Sequence, residues 1–535
     1  MAKALRAFTA VAALATMFAF TVGTASASST PRWIRHIHNY PGGISAGVRG
    51  MVSHAAVAAR AQYSNQVSSP LPQFGPNVQM NDDSNPPLPQ DETSVAYNVY
   101  RPRKAVAAAN DYVSGGVVIM RTRDYGQHWK STRLTPQFDG TGDFCTGGDP
   151  AVAYSRRDRA FYLTQLCFFR SLPFSEVHLY VSLDNGKTWT PGRQRALVTS
   201  NFDYSTGTVD QSIFNDKEYL TVDNYPNSRH YGRIYVTYTK FHIQPDGFSD
   251  YCPIQLAYTD NVPAFDPSLT TFQHTAVVPD NPGGNGKGPS ADQFSVPVVE
   301  RDGTLDISYV TEECNTSIDH NFKFQKSFDG GASFLPQPVR LTTPTTFQDN
   351  PNPADQLPNK PFRAPNTESL AYSEATGTLL YMYTNYINMA TSGGDIVVQR
   401  STDGGFTWSD PQVVSHTSGG APARNDQFFP WVATAHNGQS YAVWLDCRDS
   451  PNNHDIRAFQ GNSIDDGLTW LNLRIGTKQW DPDKGFFKSA SFIGDYSGIA
   501  ANNQAVYPVW TDGRASAMNR TGIGETDIFT NVEIS

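Results

Sequence analysis

The sequence predicts an all-β fold in which seven four-stranded antiparallel sheets form a closed ring around a central channel. Two observations predict this arrangement: an eight-residue turn motif occurs six times, and runs of alternating apolar and polar residues occur between the copies. The aspartates of successive copies are 60, 76, 69, 74 and 62 residues apart, which is enough chain for one four-stranded sheet. Repeated sheets of this size arranged radially form a β-propeller, in which each sheet is one blade.

The turn motif, called the octet turn below, is clearest at residues 401–408, Ser-Thr-Asp-Gly-Gly-Phe-Thr-Trp. Its aspartate can accept hydrogen bonds from the backbone of the turn, its glycine supplies a positive φ, and its final aromatic ring can be buried. We therefore interpret the octet aspartates as structural. They are Asp124, Asp184, Asp260, Asp329, Asp403 and Asp465. The copy at Asp260 has lost the serine and the glycine of the motif.

The number of blades follows from the first strand of each unit. These strands begin near Thr93, Pro150, Glu218, Phe294, Asn366, Phe428 and Tyr496. Only six octet turns accompany the seven strands, because the last unit ends one strand short. A short alternating segment between Asn77 and Asn81 can supply the missing strand, so that the beginning of the chain closes the ring and leaves no sheet edge open.

The octet turn resembles the Asp-box, or BNR repeat, of the sialidase-like β-propeller superfamily, and the resemblance covers about residues 77–535. It implies a propeller fold, and it makes six blades the alternative to seven because the sialidases have six. It also implies glycoside hydrolysis, although Asp-boxes occur in binding proteins as well as in enzymes.

The N-terminus has the pattern of a signal peptide covering residues 1–27. Lys3 and Arg6 precede an apolar run, and Ala25-Ser26-Ala27 form a small-residue cleavage site, so we expect a secreted, extracellular protein. Residues 28–75 are rich in Pro, Gly, Ala and Ser, and we interpret them as a flexible leader or linker that precedes the propeller at 76–535. No later segment is long and apolar enough to span a bilayer.

Composition and cysteines restrict the partners and the compartment. The net charge of −9 argues against nucleic acid as a partner. An exported chain can form disulfides, and placement on the blades predicts the pairs Cys145–Cys167 and Cys252–Cys314, which leaves Cys447 as a free thiol. We expect no cofactor, and no spacing indicates a metal site, although a structural calcium ion is compatible with the sequence. The oligomeric state is left open.

Strand direction places the candidate site. Neighbouring strands of a blade alternate in direction, so the octet turns lie on one rim, and the starts of the first strands lie on the other with the ends of the second strands. That second rim is rich in charge. Its charged residues are Asp91, Glu92, Asp111, Asp149, Asp216, Glu218, Asp292, Glu312, Glu313, Arg363, Arg424, Asp426, Asp446, Arg448, Asp495, Asp512 and Arg514. Glycoside hydrolysis needs two carboxyl groups across the scissile bond, whereas the same acids could instead pair with arginines to hold the blades in register.

The candidate catalytic residues are Asp91, Asp426, Asp495 and Tyr496. The resemblance to sialidases also implies three arginines that bind a substrate carboxylate. Phe362-Arg363-Ala364-Pro365 is similar to the family's aromatic-Arg-Ile-Pro motif, but it lies in the fifth repeat and not ahead of the first. Arg448 and Arg514 follow in the next two blades and complete the predicted substrate-binding set; salt bridges between blades are the alternative role for all three.

The predicted function is therefore a secreted, exo-acting glycoside hydrolase on extracellular glycans or glycoproteins, with sialic-acid-type sugars as one substrate class. The first alternative is a non-catalytic propeller that binds carbohydrate or protein through the same rim. The second is a polysaccharide lyase, which would abstract a proton with a Tyr or His base.

Overall fold

The structure is a computed structural model, and almost all of its regular structure is β-strand. It describes residues 30–39, 43–53, 66–68, 76–82, 88–278, 291–311, 321–343, 345–350, 352, 355–360, 362–390, 393–484, 492–514 and 524–534. The predicted signal peptide lies outside these residues. None of the described helices is long and apolar enough to cross a membrane.

Four elements precede the first blade: helices α1 (Arg32–Asn39) and α2 (Ala46–Ser53), and strands β1 (Gln66–Ser68) and β2 (Val78–Gln79). The two helices lie in the stretch that the sequence analysis interpreted as a flexible leader, and that part of the expectation is corrected. The residues Trp33, Ile34 and Ile37 of α1 are buried against the propeller. This burial of apolar surface stabilises the segment, and the overall composition of residues 28–75 did not indicate it.

The first three blades are listed here from the innermost strand outwards. Blade 1 has β3 (Gln90–Tyr97), β4 (Ala105–Asp111), β5 (Gly116–Thr122) and β6 (His128–Leu134), with β1 paired to β6; blade 2 has β7 (Ala151–Ser155), β8 (Ala160–Phe168), β9 (Ser175–Ser182) and β10 (Ala196–Ser200). A hairpin of β11 (Phe202–Asp203) and β12 (Thr208–Val209) follows. Blade 3 has β13 (Ile213–Val222), β14 (Ile234–Ile243), β16 (Ile254–Thr259) and β17 (Gln273–Ala276), with β15 (Ser249–Tyr251) paired to β14.

Blades 4 to 7 have the same order. Blade 4 has β18 (Asp292–Val299), β19 (Leu305–Thr311), β20 (Asn321–Ser327) and β21 (Val339–Arg340); blade 5 has β22 (Glu368–Tyr372), β23 (Leu379–Asn385), β24 (Asp395–Ser401) and β25 (Gln412–Val413); blade 6 has β26 (Gln427–Thr434), β27 (Ser440–Asp446), β28 (Arg457–Ser463) and β29 (Leu471–Arg474). Blade 7 has β30 (Gly498–Ala501), β31 (Ala505–Asp512) and β32 (Asp527–Thr530), with β33 (Glu533–Ile534) paired to β31. Short 3-10 helices span Gly192–Gln194, Pro267–Leu269 and Pro482–Lys484.

The ring is closed by the predicted N-terminal strand. β2 lies antiparallel to β32, with Val78 opposite Thr530 and Gln79 opposite Phe529, so it completes blade 7 as its fourth strand. The innermost strands contact one another in sequence around the ring, and β3 contacts β30. The fold is therefore a seven-bladed β-propeller of four-stranded sheets, as predicted, and not the six-bladed alternative.

The octet turns have the predicted hydrogen bonds. In the copy at Asp403, the carboxylate accepts from the N–H of Thr407 at 2.9 Å and from its hydroxyl at 2.6 Å, while Gly405 N–H donates to the Ser401 hydroxyl at 2.8 Å. These bonds lower the pKa of Asp403 to about 2, the Thr407 hydroxyl contributing most. The indole of Trp408 donates to the Gly405 carbonyl at 2.9 Å. Hydrogen bonds of the aspartate, the serine and the tryptophan thus stabilise the same turn.

The degenerate copy at Asp260 has a different role. Its carboxylate accepts two hydrogen bonds of 2.7 Å from Arg233, which also donates to the Gly330 carbonyl in the next blade's octet turn. The aromatic residue of this copy, Phe265, is 84% exposed. Without the serine and the glycine the turn cannot form, and an ion pair replaces it.

The cysteines agree with the blade map where they are described. Cys145 and Cys167 form a disulfide, as predicted. Cys252 is also disulfide-bonded, while Cys314, its predicted partner, lies outside the described residues. Cys447 is free and buried, and burial raises the pKa of its thiol, so it has the properties of a packing residue.

The glycine at the fifth position of the octet turn, Gly405 in the copy at 401–408, packs against the preceding blade. Substituting it tests the contact between the two blades. A Cβ on Gly405 would lie 2.4 Å from the Phe324 ring of blade 4, whereas a Cβ on Gly404 would meet nothing closer than 3.7 Å. Both glycines have a positive φ, of +86° and +74°. We expect Gly404→Ala to cost about 1–2 kcal/mol of backbone strain and Gly405→Ala a further ~1–3 kcal/mol from overpacking. Thermal unfolding of the two variants measures this difference, and equal midpoints would contradict it.

Candidate functional site

The starts of the innermost strands carry an aspartate in six of the seven blades, on the rim opposite the octet turns. They are Asp91, Asp149, Asp216, Asp292, Asp426 and Asp495. In blades 1, 3, 4 and 6 the innermost strand has a register shift just after this point, and its bulged residue has a positive φ, as at Glu92 and Lys217. A bulge redirects consecutive side chains, so the strand can place more than one polar group at the channel mouth.

Blades 1, 2 and 7 meet around Asn110, at the end of β4. The Asn110 amide donates to Glu92 Oε2 at 2.7 Å and to Asp91 Oδ1 at 3.1 Å, and its oxygen accepts from the N–H of Asp149 at 2.7 Å. The N–H of Asp495 donates to Glu92 Oε1 at 3.1 Å. All four acids are fully buried. We call Asp91, Glu92, Asp149 and Asp495 the acidic mouth.

Burial and crowding raise the pKa values of Asp91, Glu92 and Asp149. Burial raises the pKa of Glu92 well above its ordinary value, and the charges of Asp149, Asp495 and Asp91 raise it further. The pKa of Asp91 is also raised, chiefly by burial, against the lowering effect of the Asn110 hydrogen bond. A carboxyl group that keeps its proton near neutral pH can act as a general acid.

Blade 3 adds three residues beside the acidic mouth. Burial, followed by the charge of Asp149, raises the pKa of Glu218 well above its ordinary value and that of Asp216 to about 7. The ammonium of Lys217 lies 3.9 Å from the ring centroid of Tyr496. Lys217 thus brings a positive charge among the acids, and it lies against the candidate nucleophile.

Tyr496 is buried among these groups. Burial and the nearby charges of Glu92, Asp149 and Glu218 raise the pKa of its hydroxyl well above the ordinary value, so the phenol stays neutral. A nucleophilic Tyr496 would need a base to take its proton, and the neighbouring carboxylates are the groups available for that role.

Arg363 is the one candidate arginine that reaches an acid of the mouth. Its guanidinium donates to Asp495 at 2.7 Å and 3.3 Å. Thr367, in the same loop, donates to the Asp495 carbonyl at 2.9 Å. The structure therefore brings together Asp91, Asp495, Tyr496 and Arg363.

Asp426 is bound to a different set of groups. Its carboxylate contacts Lys360 Nζ at 2.7 Å and the Asn453 amide at 2.7 Å, and accepts from the N–H of Gly394 at 3.0 Å. Lys360 and Asp426 are both completely buried. A buried carboxylate paired in this way has the arrangement of a structural ion pair.

Arg448 and Arg514 occupy equivalent positions in blades 6 and 7, and each binds the aspartate two residues earlier. Arg448 contacts Asp446 at 2.7 Å and lies 4.3 Å from the Phe459 ring; Arg514 donates to Asp512 at 2.8 Å and lies 4.5 Å from the Phe529 ring. In both blades a tryptophan indole donates to the same aspartate. This repeated contact agrees with the alternative role, in which the arginines stabilise the blades.

The residues that lead into α2, together with the first turn of that helix, cover the acidic mouth. The N–H of Ser45 donates to Asp216 at 2.6 Å, and the Gln293 amide donates to the Gly43 carbonyl at 2.8 Å. Gly47 lies so close that an added Cβ would be 2.5 Å from Glu92 Oε2 and 2.6 Å from Asp149 Oδ1. We call residues 43–53 the covering segment.

Helix α1 anchors the covering segment on blades 2 and 3. The Trp33 ring stacks on Phe214 at 4.6 Å and meets the edge of Phe168 at 5.4 Å. His36 Nδ1 lies 3.2 Å from the Gly247 carbonyl. Sequence analysis missed this segment; the helical spacing of Trp33, Ile34 and Ile37 was the available signal.

Two groups of described residues have the spacing of metal ligands. Cys167, Glu176 and His178 form the first, but Cys167 is in a disulfide and cannot supply a thiolate. His454, Asp481 and Asp483 form the second, on the surface. Neither belongs to the acidic mouth.

Comparison with models of known families gives no match, and no curated protein matches the sequence. Among solved structures, the chain is similar to the Hadza microbial sialidase Hz136, with 14% identity over 89% of this chain and 93% of that chain and a TM-score of 0.44. It is similar to a Penicillium chrysogenum α-L-arabinanase with 12% identity over 71% and 92% and a TM-score of 0.41. It is similar to Trypanosoma rangeli sialidase with 12% identity over 75% and 57% and a TM-score of 0.43. Such similarities assign no activity to the chain.

The raised pKa of Asp216 predicts a pH-dependent stability. Its pKa is about 7 in the folded protein and 3.8 ordinarily, so the folded state holds a proton that the unfolded state releases. This contribution is complete below about pH 4 and is lost as the pH rises through 7. We expect the thermal midpoint of the native chain to fall from pH 6.5 to 8 more steeply than that of Asp216→Asn.

Comparing the native chain with Asp216→Asn separates the effect of Asp216 on the thermal midpoint from the effect of the histidines, which both proteins share. The lowered pKa of His36, about 3, acts in the opposite direction, but its effect is complete above pH 6.5. Parallel midpoint curves for the native chain and Asp216→Asn would contradict the expectation.

Proposed function

We propose that the chain is a secreted, exo-acting glycoside hydrolase of the Asp-box kind whose reaction takes place at the acidic mouth. One observation carries the proposal: Glu92 and Asp149 are buried, their pKa values are raised, and both lie against the same point of the channel mouth. Glycosidases use two carboxyl groups, about 5–5.5 Å apart for retention and roughly 6.5–9.5 Å apart for inversion. Acids of neighbouring blades that face one point can flank one glycosidic bond.

We assign Glu92 the role of general acid. Burial and then the charges of three neighbouring acids raise its pKa, and Asn110 fixes its position through a hydrogen bond of 2.7 Å. Asp149, on the next blade, is the second carboxyl group. The sequence analysis placed both on this rim but chose Asp91, Asp426, Asp495 and Tyr496 as catalytic candidates. In this proposal the charges of Asp91 and Asp495 raise the pKa of Glu92.

The acidic mouth favours a neutral sugar over an anionic one. A substrate carboxylate would be repelled by each of these acids when it is ionised, and Arg448 and Arg514 are held in their own blades. Sialic-acid-type sugars are the second substrate class in the proposal, with Arg363 beside Asp495 as the group that would bind them.

Turnover requires the covering segment to leave the mouth, because Gly47 lies against Glu92 and Asp149 so closely that even a Cβ would not fit. The proposal therefore includes displacement of this segment before substrate binds. Secretion through residues 1–27 is part of the same proposal, and a disulfide at Cys145–Cys167 is compatible with an oxidising compartment.

Two substitutions test the site together. A Val at Gly47 cannot fit against Glu92 and Asp149, so Gly47→Val should displace the covering segment and raise turnover of aryl glycosides at least several-fold. Adding Glu92→Gln should lower that turnover about 10²–10⁴-fold by removing the general acid. Gly419→Val is the control, since an added Cβ there meets nothing closer than 3.8 Å.

The non-catalytic alternative has one observation in its favour, namely that the mouth already binds a peptide segment. It predicts no turnover of any glycoside by the native chain or by Gly47→Val, with ligand binding that increases in Gly47→Val. A lyase would release an unsaturated, ultraviolet-absorbing product; the raised pKa of Tyr496 makes that residue a poor base. Hydrolysis that persists in Gly47→Val with Glu92→Gln would overturn the assignment of Glu92.

A further inference from the structure

A group of cations lies on the octet-turn rim, on the side of the ring away from the acidic mouth. The loop between β3 and β4 carries Arg101, Arg103 and Lys104. Asn98 shapes this loop by accepting from the N–H groups of Tyr100 and Arg101 at 2.9 Å and 3.1 Å. The same loop is bound to the octet turns of blades 1 and 2.

Two hydrogen bonds define that attachment. The N–H of Tyr125 in the first octet turn donates to the Arg103 carbonyl at 3.0 Å, and the Asn98 amide donates to Asn185 in the second at 2.7 Å. Because both turns are rigid, the loop presents its cations in a fixed arrangement.

Blade 2 contributes two more guanidinium groups to the same surface. Arg156 and Arg159 lie 5.9 Å and 5.3 Å from the ring centroid of Tyr100, which is 49% exposed. Arg123 of the first octet turn is the sixth cation of this group. We call Arg101, Arg103, Lys104, Arg123, Arg156 and Arg159 the basic patch.

The cations of the basic patch are not neutralised by ion pairs. Among the described residues, none of the six forms one, although the adjacent Arg157 is paired with Asp158 at 2.8 Å. The nearest octet acids, Asp124 and Asp184, use their oxygens within their own turns. Burial lowers the pKa of Lys104, and the charges of Arg101, Arg123 and Arg103 lower it further, which agrees with unopposed positive charge at this place.

We propose that the basic patch binds a linear polyanionic glycan, one that bears sulfate or uronate groups along its length. Guanidinium groups donate two hydrogen bonds to such oxyanions, and an exposed tyrosine ring offers a face for a sugar. The chain has a net charge of −9, so its total charge would repel a polyanion and only a local surface can bind one. The patch is separate from the acidic mouth and does not depend on the proposed hydrolysis.

A broad anionic surface such as a lipid bilayer fits this rim less well. Beyond blades 1 and 2 the turns of the same rim carry acids, and a flat membrane would meet these acids together with the patch. They include Glu300, Asp302, Glu374 and Asp403. A flexible chain can follow the patch alone.

The test compares two triple variants of the full chain that have the same net charge. One is Arg101→Gln, Arg103→Gln and Arg159→Gln; the control is Arg301→Gln, Arg424→Gln and Lys478→Gln, three exposed cations outside the patch. Retention on immobilised dextran sulfate and on polygalacturonate is measured against neutral dextran in a salt gradient. We expect the native chain and the control to be retained and to elute with increasing salt, and the patch variant to lose at least tenfold in affinity.

Three results would overturn the proposal. The first is equal retention of the patch variant and the control, and the second is no retention of the native chain at low salt. The third is patch-dependent binding to phosphatidylserine vesicles or to duplex DNA that is tighter than binding to either glycan. Circular dichroism of both variants establishes that a loss of binding does not come from unfolding.

Discussion

The pairing of β2 with β32 is the constraint on which the rest of the structure depends. β32 is the third long strand of blade 7, and among the described residues β2 is the strand that pairs with its outer edge. Two residues, Val78 and Gln79, complete the blade. Since the starts of the innermost strands are then held around one channel, acids of blades 1 and 2 form hydrogen bonds with a single asparagine, Asn110, and Asp495 of blade 7 donates its N–H to Glu92.

The octet turns also fix the positions of the blades relative to one another. Except in the degenerate copy at Asp260, each turn folds back on its own aspartate, and the glycine at its fifth position permits contact with the preceding blade, as Gly405 does with Phe324 and Gly467 with Leu380. Similar contacts around the ring fix the spacing of the blades. The positions of the channel-mouth residues therefore depend on turns at the opposite rim.

The fold could be predicted from the sequence because its determinants are local and repeated. The octet turn can be recognised from eight consecutive residues. The last unit lacks a fourth strand in its own sequence, and this indicated that the N-terminal strand pairs there. The site was predicted less well because its determinants are relations between blades. Asp426 and Asp495 are equivalent in sequence, yet one pairs with Lys360 and the other with Arg363. The amino-acid pattern of blades 6 and 7 likewise could not show that Arg448 and Arg514 each lie over a phenylalanine of their own blade.

The covering segment explains how so many acids can be buried at one place. Carboxylates removed from water without partners are strongly unfavourable. Burial accordingly raises the pKa values of Glu92 and Glu218, and Asp216 accepts a hydrogen bond from Ser45 of the segment. A purely structural plug would be expected to present apolar side chains to an apolar channel. The covering segment buries Ile44, Val48 and Met51, but it also places the backbone of Ser45 and Gly47 against the acids. The proposed function gives a reason for this cost in free energy, because it requires carboxyl groups with raised pKa values at the channel mouth and a cover of main chain that substrate can replace.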